Sequence, residues 1–393
     1  MSTAVIVDAV RTASGKGKPG GALSALHPAD LLAQTLTGLL ARNDVDPATI
    51  DDVIAGCVSQ VGDQALNIAR TAALVAGLPE SVPGTTVDRQ CGSSQQAAHF
   101  AAQGVMAGAY DIVIACGVES MSRTPMGASS HGGHPAAPLA DRYPDGLIGQ
   151  GVSAELIAAK WGFSRAALDE YSARSHELAA AAVASGRFER ELIPVTLPDG
   201  SQHTVDETLR ASTTAEGLGG LRTSFAAPEY EERFPQINWS ITAGNSSPLT
   251  DAASAVLIMS EERANGLGLT PRARFHSFAV TGSDPLYMLT GVIPATEKVL
   301  RRAGLGIDDI DTFEVNEAFA PVPMAWLSDM GADEKRLNPS GGAIALGHAL
   351  GASGTRLLTT MLTNLEATGG RYGLQTMCEG GGMANATIIE RLG

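Results

Sequence analysis

One strand–helix–strand pattern is written twice in this chain. An apolar run over 5–10 is followed by a helical stretch over 27–42 and a second apolar run over 50–56. The same order returns over 273–280, 295–303 and 310–316. Arg42 and Arg302, Ile50 and Ile310, and Asp51 and Asp311 share one spacing of 260 residues. A repeat this long predicts two copies of one α/β unit. Alternating strands and helices predict sheets covered by helices. The correspondence continues with a shifted spacing: Thr86-Val87-Asp88 is set against Arg336-Leu337-Asn338, and the strand ending in Cys116-Gly117 against the strand ending in Cys378.

Between the copies the pattern breaks. The stretch 120–247 is rich in Gly, His and Pro at its start and then carries helical segments over 154–161 and 164–185, the second capped by Ser164 and ended by Gly186. We expect an inserted lobe that helps form the substrate site. The expected division is 1–119 plus 248–268 as the first core half, 120–247 as the inserted loop domain, and 269–393 as the second core half.

Composition narrows the function. With 393 residues and 44% hydrophobic content the chain can bury a large core. Its net charge of -15 disfavours a nucleic-acid or anionic-membrane surface. Four cysteines, at 57, 91, 116 and 378, fit no disulfide framework or paired-metal spacing, which points to a reducing compartment, the cytoplasm. No apolar run reaches the roughly 18 residues that span a bilayer. The first ten residues read as a buried strand with no basic leader, and the last residues carry no peroxisomal tripeptide.

Reactive side chains gather on glycine-flanked turns. Cys91 lies in Val87-Asp88-Arg89-Gln90-Cys91-Gly92-Ser93-Ser94, where an extended segment meets an alanine-rich helix. A helix N-terminus stabilises a thiolate, so this is a place for a nucleophile. The local residues alone leave a buried core cysteine open. His348 closes Gly341-Gly342-Ala343-Ile344-Ala345-Leu346-Gly347-His348, and Cys378 opens Cys378-Glu379-Gly380-Gly381-Gly382. A lone histidine is more often structural, and a strand-end asparagine such as Asn316 more often serves a turn. Cys57 and Cys116 follow apolar strands and read as packing. His131 and His134 lack a third ligand, so no metal site is expected.

These turns, together with Asn316-Glu317-Ala318-Phe319, resemble the motifs of the thiolases, which make or break carbon–carbon bonds between acyl groups on coenzyme A. The resemblance covers essentially the whole chain. It implies a five-layered α-β-α-β-α core of two similar halves with an inserted loop domain. It implies Cys91 as the acyl-carrying nucleophile in a ping-pong cycle and His348 as the group that takes its proton and then donates to a thioester oxyanion. Cys378 becomes the second acid/base, an ordinary thiol having a pKa of about 8.5. Asn316 holds an oxyanion-hole water, and the N–H groups of Cys91 and Gly380 form a second hole. Arg222, in Gly219-Gly220-Leu221-Arg222-Thr223-Ser224-Phe225, would meet the nucleotide, and Ser247, in Ala243-Gly244-Asn245-Ser246-Ser247, the pantetheine. Coenzyme A is then a co-substrate and no cofactor is needed. A homodimer or homotetramer is implied.

The chain departs from the family pattern in two places, with Ala349 where proline usually follows the histidine and Ala384 where a glycine is frequent. Thiolysis of 3-ketoacyl-CoA is the leading expectation, and synthesis of acetoacetyl-CoA the alternative. A decarboxylating ketosynthase would place a histidine at Asn316, and a non-catalytic acyl-CoA-binding protein would have lost a reactive group. Several short-chain thiolases have Met-Gly-x-Thr-Ala-Glu where this chain has Gln150-Gly151-Val152-Ser153-Ala154-Glu155. That difference favours longer or bulkier acyl groups, as in fatty-acid or steroid side-chain breakdown.

Overall fold

The computed structural model describes residues 2–393. The core strands are β1 (Ala4–Thr12), β2 (Asp52–Gly56), β3 (Gly84–Val87), β4 (Ile112–Ser120) and β5 (Thr250–Ser260) in one half. In the other they are β6 (Ala273–Gly282), β7 (Thr312–Val315), β8 (Tyr372–Glu379) and β9 (Met383–Arg391). Their spatial order is β7-β8-β9-β6-β1-β5-β4-β2-β3, so the halves meet along β1 and β6, antiparallel with Val5 opposite Arg274.

The repeat is kept to the residue. In β2–β4, Val53 pairs with Ile114; in β7–β8, Phe313 pairs with Leu374, each 260 residues on. Asp51 Oδ2 accepts from the N–H of Asp111 at 2.6 Å and of Ile112 at 2.9 Å. Asp311 Oδ2 does the same for Arg371 at 2.6 Å and Tyr372 at 2.9 Å. A carboxylate that caps two strand-start N–H groups explains why this aspartate survives in both copies. β1 and β6 also share a bulge, between Ile6 and Asp8 and between Phe275 and Ser277. The bulge changes the phase of alternation: Val5 and Val7 face one core layer, and beyond it Val10 rejoins that layer.

Two expected correspondences are corrected. Because β4 and β8 keep the spacing of 260, the counterpart of Cys116 is Thr376, and Cys378 lies two residues farther along its strand. The outer strand β3 is matched only by a single bridge, Phe313 to Leu337, which stands where Val53 meets Gly84. Thr86-Val87-Asp88 and Arg336-Leu337-Asn338 therefore do not align strand for strand.

Helices α1 (Pro28–Leu40) and α2 (Ile68–Val75) cover the outer face of the first half through residues such as Leu32, Leu36 and Ile68. Between the two sheets lie α3 (Ser93–Ala107) and, near the C-terminus, α8 (Ser353–Thr368), packed with Ala97, Ala101, Leu358 and Leu362 against Ile6, Phe275 and Ile389. The second half is covered by α6 (Val292–Ala303) and α7 (Pro321–Met330), with Trp326 fully buried on Phe313. These are the five layers. Small residues let the central helices cross closely; a Cβ on Gly354 would collide with the backbone of Gln95.

The insertion supplies α4 (Gln150–Trp161) and α5 (Arg165–Ala184), the latter capped by Ser164. After it, β5 threads between β1 and β4. Arg11 of β1 anchors the insertion by reaching Glu191 at 2.6 Å and Asp206 at 2.8 Å, all three buried. Among the described residues no helix is long and apolar enough to cross a membrane, and no group of three or more His, Cys, Asp or Glu is placed to hold a metal ion.

Candidate active site

Cys91 stands between β3 and α3 on a loop held in an uncommon conformation. Gln90 has φ 49°, and its N–H donates to Asp88 Oδ1 at 2.7 Å. Ser93 fastens the loop from the helix side, its Oγ donating to Gln90 O at 2.5 Å and accepting from Arg89 N at 2.9 Å. Cys91 is buried among Met121, Leu350, Leu357 and Met377. Burial first, then the charge of Glu379, pushes its thiol up to about 12. The expected lowering by the helix end is thus outweighed by desolvation. Cys378, near the end of β8, is fully buried, and burial followed by the charge of Cys91 raises its thiol as well. Both thiols hold their protons at rest, unlike the near-neutral titration expected for Cys378.

His348 follows Gly347, whose φ of 88° turns the chain out of a short helical turn, Ala343–Leu346. Its N–H donates to Thr250 Oγ1 at 3.0 Å. Ser353 Oγ donates to Ala349 O at 2.8 Å and lies 2.6 Å from His348 Nδ1. A hydroxyl has one hydrogen, so toward the imidazole Ser353 accepts, and Nδ1 carries the ring proton. Nε2 is left as a base, with Asn316 Nδ2 at 3.4 Å from it. Burial, then the Arg356 charge, pushes the imidazole down to about 3, so it is neutral at physiological pH. Ala349 keeps φ at -74°, a value proline would impose, so the turn holds its shape without that ring.

Asn316 follows directly on β7, its N–H on Thr376 O at 3.1 Å, and its buried Oδ1 has no hydrogen-bond partner among the described residues. Glu317 beside it is occupied: it accepts from Tyr171 at 3.0 Å, Ser175 at 2.7 Å, Asn338 at 3.0 Å and Ile344 N at 3.1 Å. It braces the turn leading to His348. Among the described residues the N–H groups of Cys91 and Gly380 are not used in turn or loop hydrogen bonds.

A cavity of about 350 Å³ opens onto His348. Met121 and Leu350 are shared by its wall and by the cluster around Cys91. The rest is largely apolar, with Met126, Phe225, Tyr230 and Leu249, while Ser247 is a polar lining residue. Arg222 does not line it. It is exposed, makes no ion pair among the described residues, and sits beside Thr223, which bridges to Thr242.

Residues 4–262 match the family described as thiolase, N-terminal domain, and residues 269–391 the thiolase, C-terminal domain. The chain belongs to the thiolase family. A steroid 3-ketoacyl-CoA thiolase, FadA6, of Mycobacterium tuberculosis is 52% identical, over 100% of this chain and 95% of that protein. A 3-ketoacyl-CoA thiolase of Aliivibrio salmonicida is 45% identical over 100% of both. The crystal structure of the Bacillus anthracis acetyl-CoA acetyltransferase superposes with a TM-score of 0.90 at 35% identity, covering 100% of this chain and 99% of that one.

In this thiolase the fold brings His348, Asn316 and Ser247 to one region and places Cys91 and Cys378 close enough for their charges to interact. Sequence reasoning missed Ser353, Thr250 and the wall residues Met126 and Tyr230. Only Ser353 left a trace, a hydroxyl five residues beyond the histidine; the others depend on contacts between distant segments.

Proposed function

We propose that this thiolase cleaves 3-ketoacyl-CoA with coenzyme A, giving acetyl-CoA and a shortened acyl-CoA, with Cys91 carrying the acyl group. The observation that carries this reading is the unprotonated Nε2 of a neutral His348, its tautomer set by Ser353, on a cavity whose wall is shared with Cys91. In the first half-reaction Cys91 gives its proton to His348 Nε2 as its sulfur bonds to the 3-keto carbon. The bond between C2 and C3 breaks, its electron pair passes to the acetyl-CoA enolate, and Cys378 protonates C2. In the second, Cys378 takes the proton of coenzyme A, whose sulfur attacks the acyl carbonyl. Cys91 leaves and recovers its proton from His348.

A raised thiol pKa suits Cys378, because it keeps the proton until carbanion character develops and is a strong base once ionised. The Nδ2 of Asn316 and the protonated Nε2 of His348 would serve the enolate oxygen, and the N–H groups of Cys91 and Gly380 the tetrahedral intermediates. Ser247 would meet pantetheine and Arg222 the nucleotide phosphates. The apolar cavity and the name of the Mycobacterium tuberculosis relative support a bulky, uncharged acyl group. Four free cysteines suit the reducing cytoplasm, and we expect a homodimer or homotetramer, to be measured by light scattering.

Incubation with a 3-ketoacyl-CoA, acid quenching and peptide mass analysis should find the acyl adduct on Cys91. An adduct on Cys378 instead would reverse the roles.

A further inference from the structure

Glu379, the residue after Cys378, has no part in the reaction steps above. It ends β8 with 0% exposure, and neither carboxyl oxygen has a hydrogen-bond partner. Glycine at position 92 is what admits it, since a Cβ there would collide with Glu379 Oε1. The carboxyl therefore packs on the N-cap of α3, one residue from the nucleophile. That N-cap has no side-chain hydrogen bond, and the first N–H groups of a helix favour a negative charge.

We propose that Glu379 is a positioning residue that shares the N-terminal end of α3 with Cys91, and that this site holds one negative charge at a time, so Cys91 ionises freely only while Glu379 keeps its proton. The proposal rests on Cys91 being the nucleophile. Two anions this close in a buried site repel strongly. Burial, opposed by Arg89, pushes the Glu379 carboxyl up to about 8, and its charge is the largest influence on the Cys91 thiol after burial. The other groups around the pair do not remove the conflict. Arg89 and Asp88 lie on the loop before α3, with Arg89 forming no ion pair to Glu379 and Asp88 adding negative charge. Glu119 of β4 also raises Cys91, and Cys378 is a neutral thiol. His99 of α3 is pushed down to about 3 by burial and then Arg89, and so is neutral. Asn385 of β9, uncharged, donates to Gly92 O at 3.1 Å.

Coupled titration gives this arrangement a signature. While Glu379 is protonated, thiolate rises tenfold per pH unit; once the pair has lost one proton the split between the two groups is fixed, and thiolate levels off. The test is the rate of iodoacetamide alkylation of Cys91, read by peptide mass analysis from about pH 6 to 10, for the wild type, Glu379→Gln and Glu379→Asp. We expect the wild type to level near pH 8, Glu379→Gln to keep rising and be about tenfold faster at about pH 9, and Glu379→Asp, which keeps a carboxyl, to retain a plateau. Matching curves for wild type and Glu379→Gln would overturn the proposal, as would a uniform loss in Glu379→Gln with no change in shape. The acyl-adduct experiment tests the nucleophile separately: an adduct on another cysteine would sink that assignment without altering the alkylation curves.

Discussion

Replacing Ser353 with alanine tests the base assignment through one hydroxyl. Ser353 is 2% exposed, and its Oγ is the acceptor 2.6 Å from His348 Nδ1. Without it the Nδ1–H is buried and unpaired, a cost of about 1–3 kcal/mol. The imidazole can escape by moving its proton to Nε2, because the unpartnered Oδ1 of Asn316 can rotate to accept it. That tautomer cannot take the Cys91 proton. If it is favoured by the same 1–3 kcal/mol, the competent fraction falls roughly 10- to 100-fold, since about 1.4 kcal/mol is a factor of ten. Stability should change little: one lost hydrogen bond of about 1 kcal/mol moves the Tm of a chain this long by only about 1–2 °C. The assay is single-turnover acylation of Cys91, with coenzyme A affinity and Tm measured in parallel. Ser353→Ala should lose acylation rate at unchanged affinity, and Ser353→Thr should restore most of it. Wild-type acylation in Ser353→Ala would refute the tautomer argument.

Cys378→Ala should still accept an acyl group on Cys91 yet fail to exchange deuterium into the methyl group of acetyl-CoA; normal exchange would remove Cys378 from the mechanism. His348→Ala and Asn316→Ala should lower turnover by about 10² or more with coenzyme A affinity retained, His348→Ala the more severely because it also loses the base; poor binding with normal saturated turnover would show that they bind rather than catalyse. His99 is buried with its pKa pushed down to about 3, below its unfolded value of about 6.5, so its stabilising contribution is full above pH 6.5 and is lost as pH falls toward 3. Urea unfolding should therefore show the wild type losing about 2 kcal/mol more than His99→Gln between pH 7 and pH 5, and equal losses would contradict a neutral buried imidazole.

Much of the architecture is local in origin and could be read from residues in order. The spacing of 260 residues between Asp51 and Asp311 survives because each aspartate caps the start of the neighbouring strand in its own half. Runs such as 5–10 and 273–280 alternate with helices, and that pattern already implies layered α/β halves. Helix starts at Ser164 and stops at glycine are matters of a few adjacent groups. The reactive turns, too, announce themselves through the glycines around Cys91, His348 and Cys378.

What the order of residues could not decide is everything that depends on burial and on contacts between remote segments. A helix N-terminus read alone predicts an acidic thiol at Cys91, and the closed fold reverses this because desolvation and a carboxyl from β8, nearly three hundred residues away, outweigh the helix end. The shift placed between Cys116 and Cys378 disappears once the strands pair, since register belongs to the sheet rather than to either strand. Likewise the tautomer of His348 is set by a hydroxyl whose only hydrogen is spent elsewhere, and the apolar cavity beside it is walled by the insertion folding back over the core. Sequence determines which groups are present and which local shapes they prefer; their protonation, orientation and surroundings follow from the low-dielectric interior that only the assembled layers create.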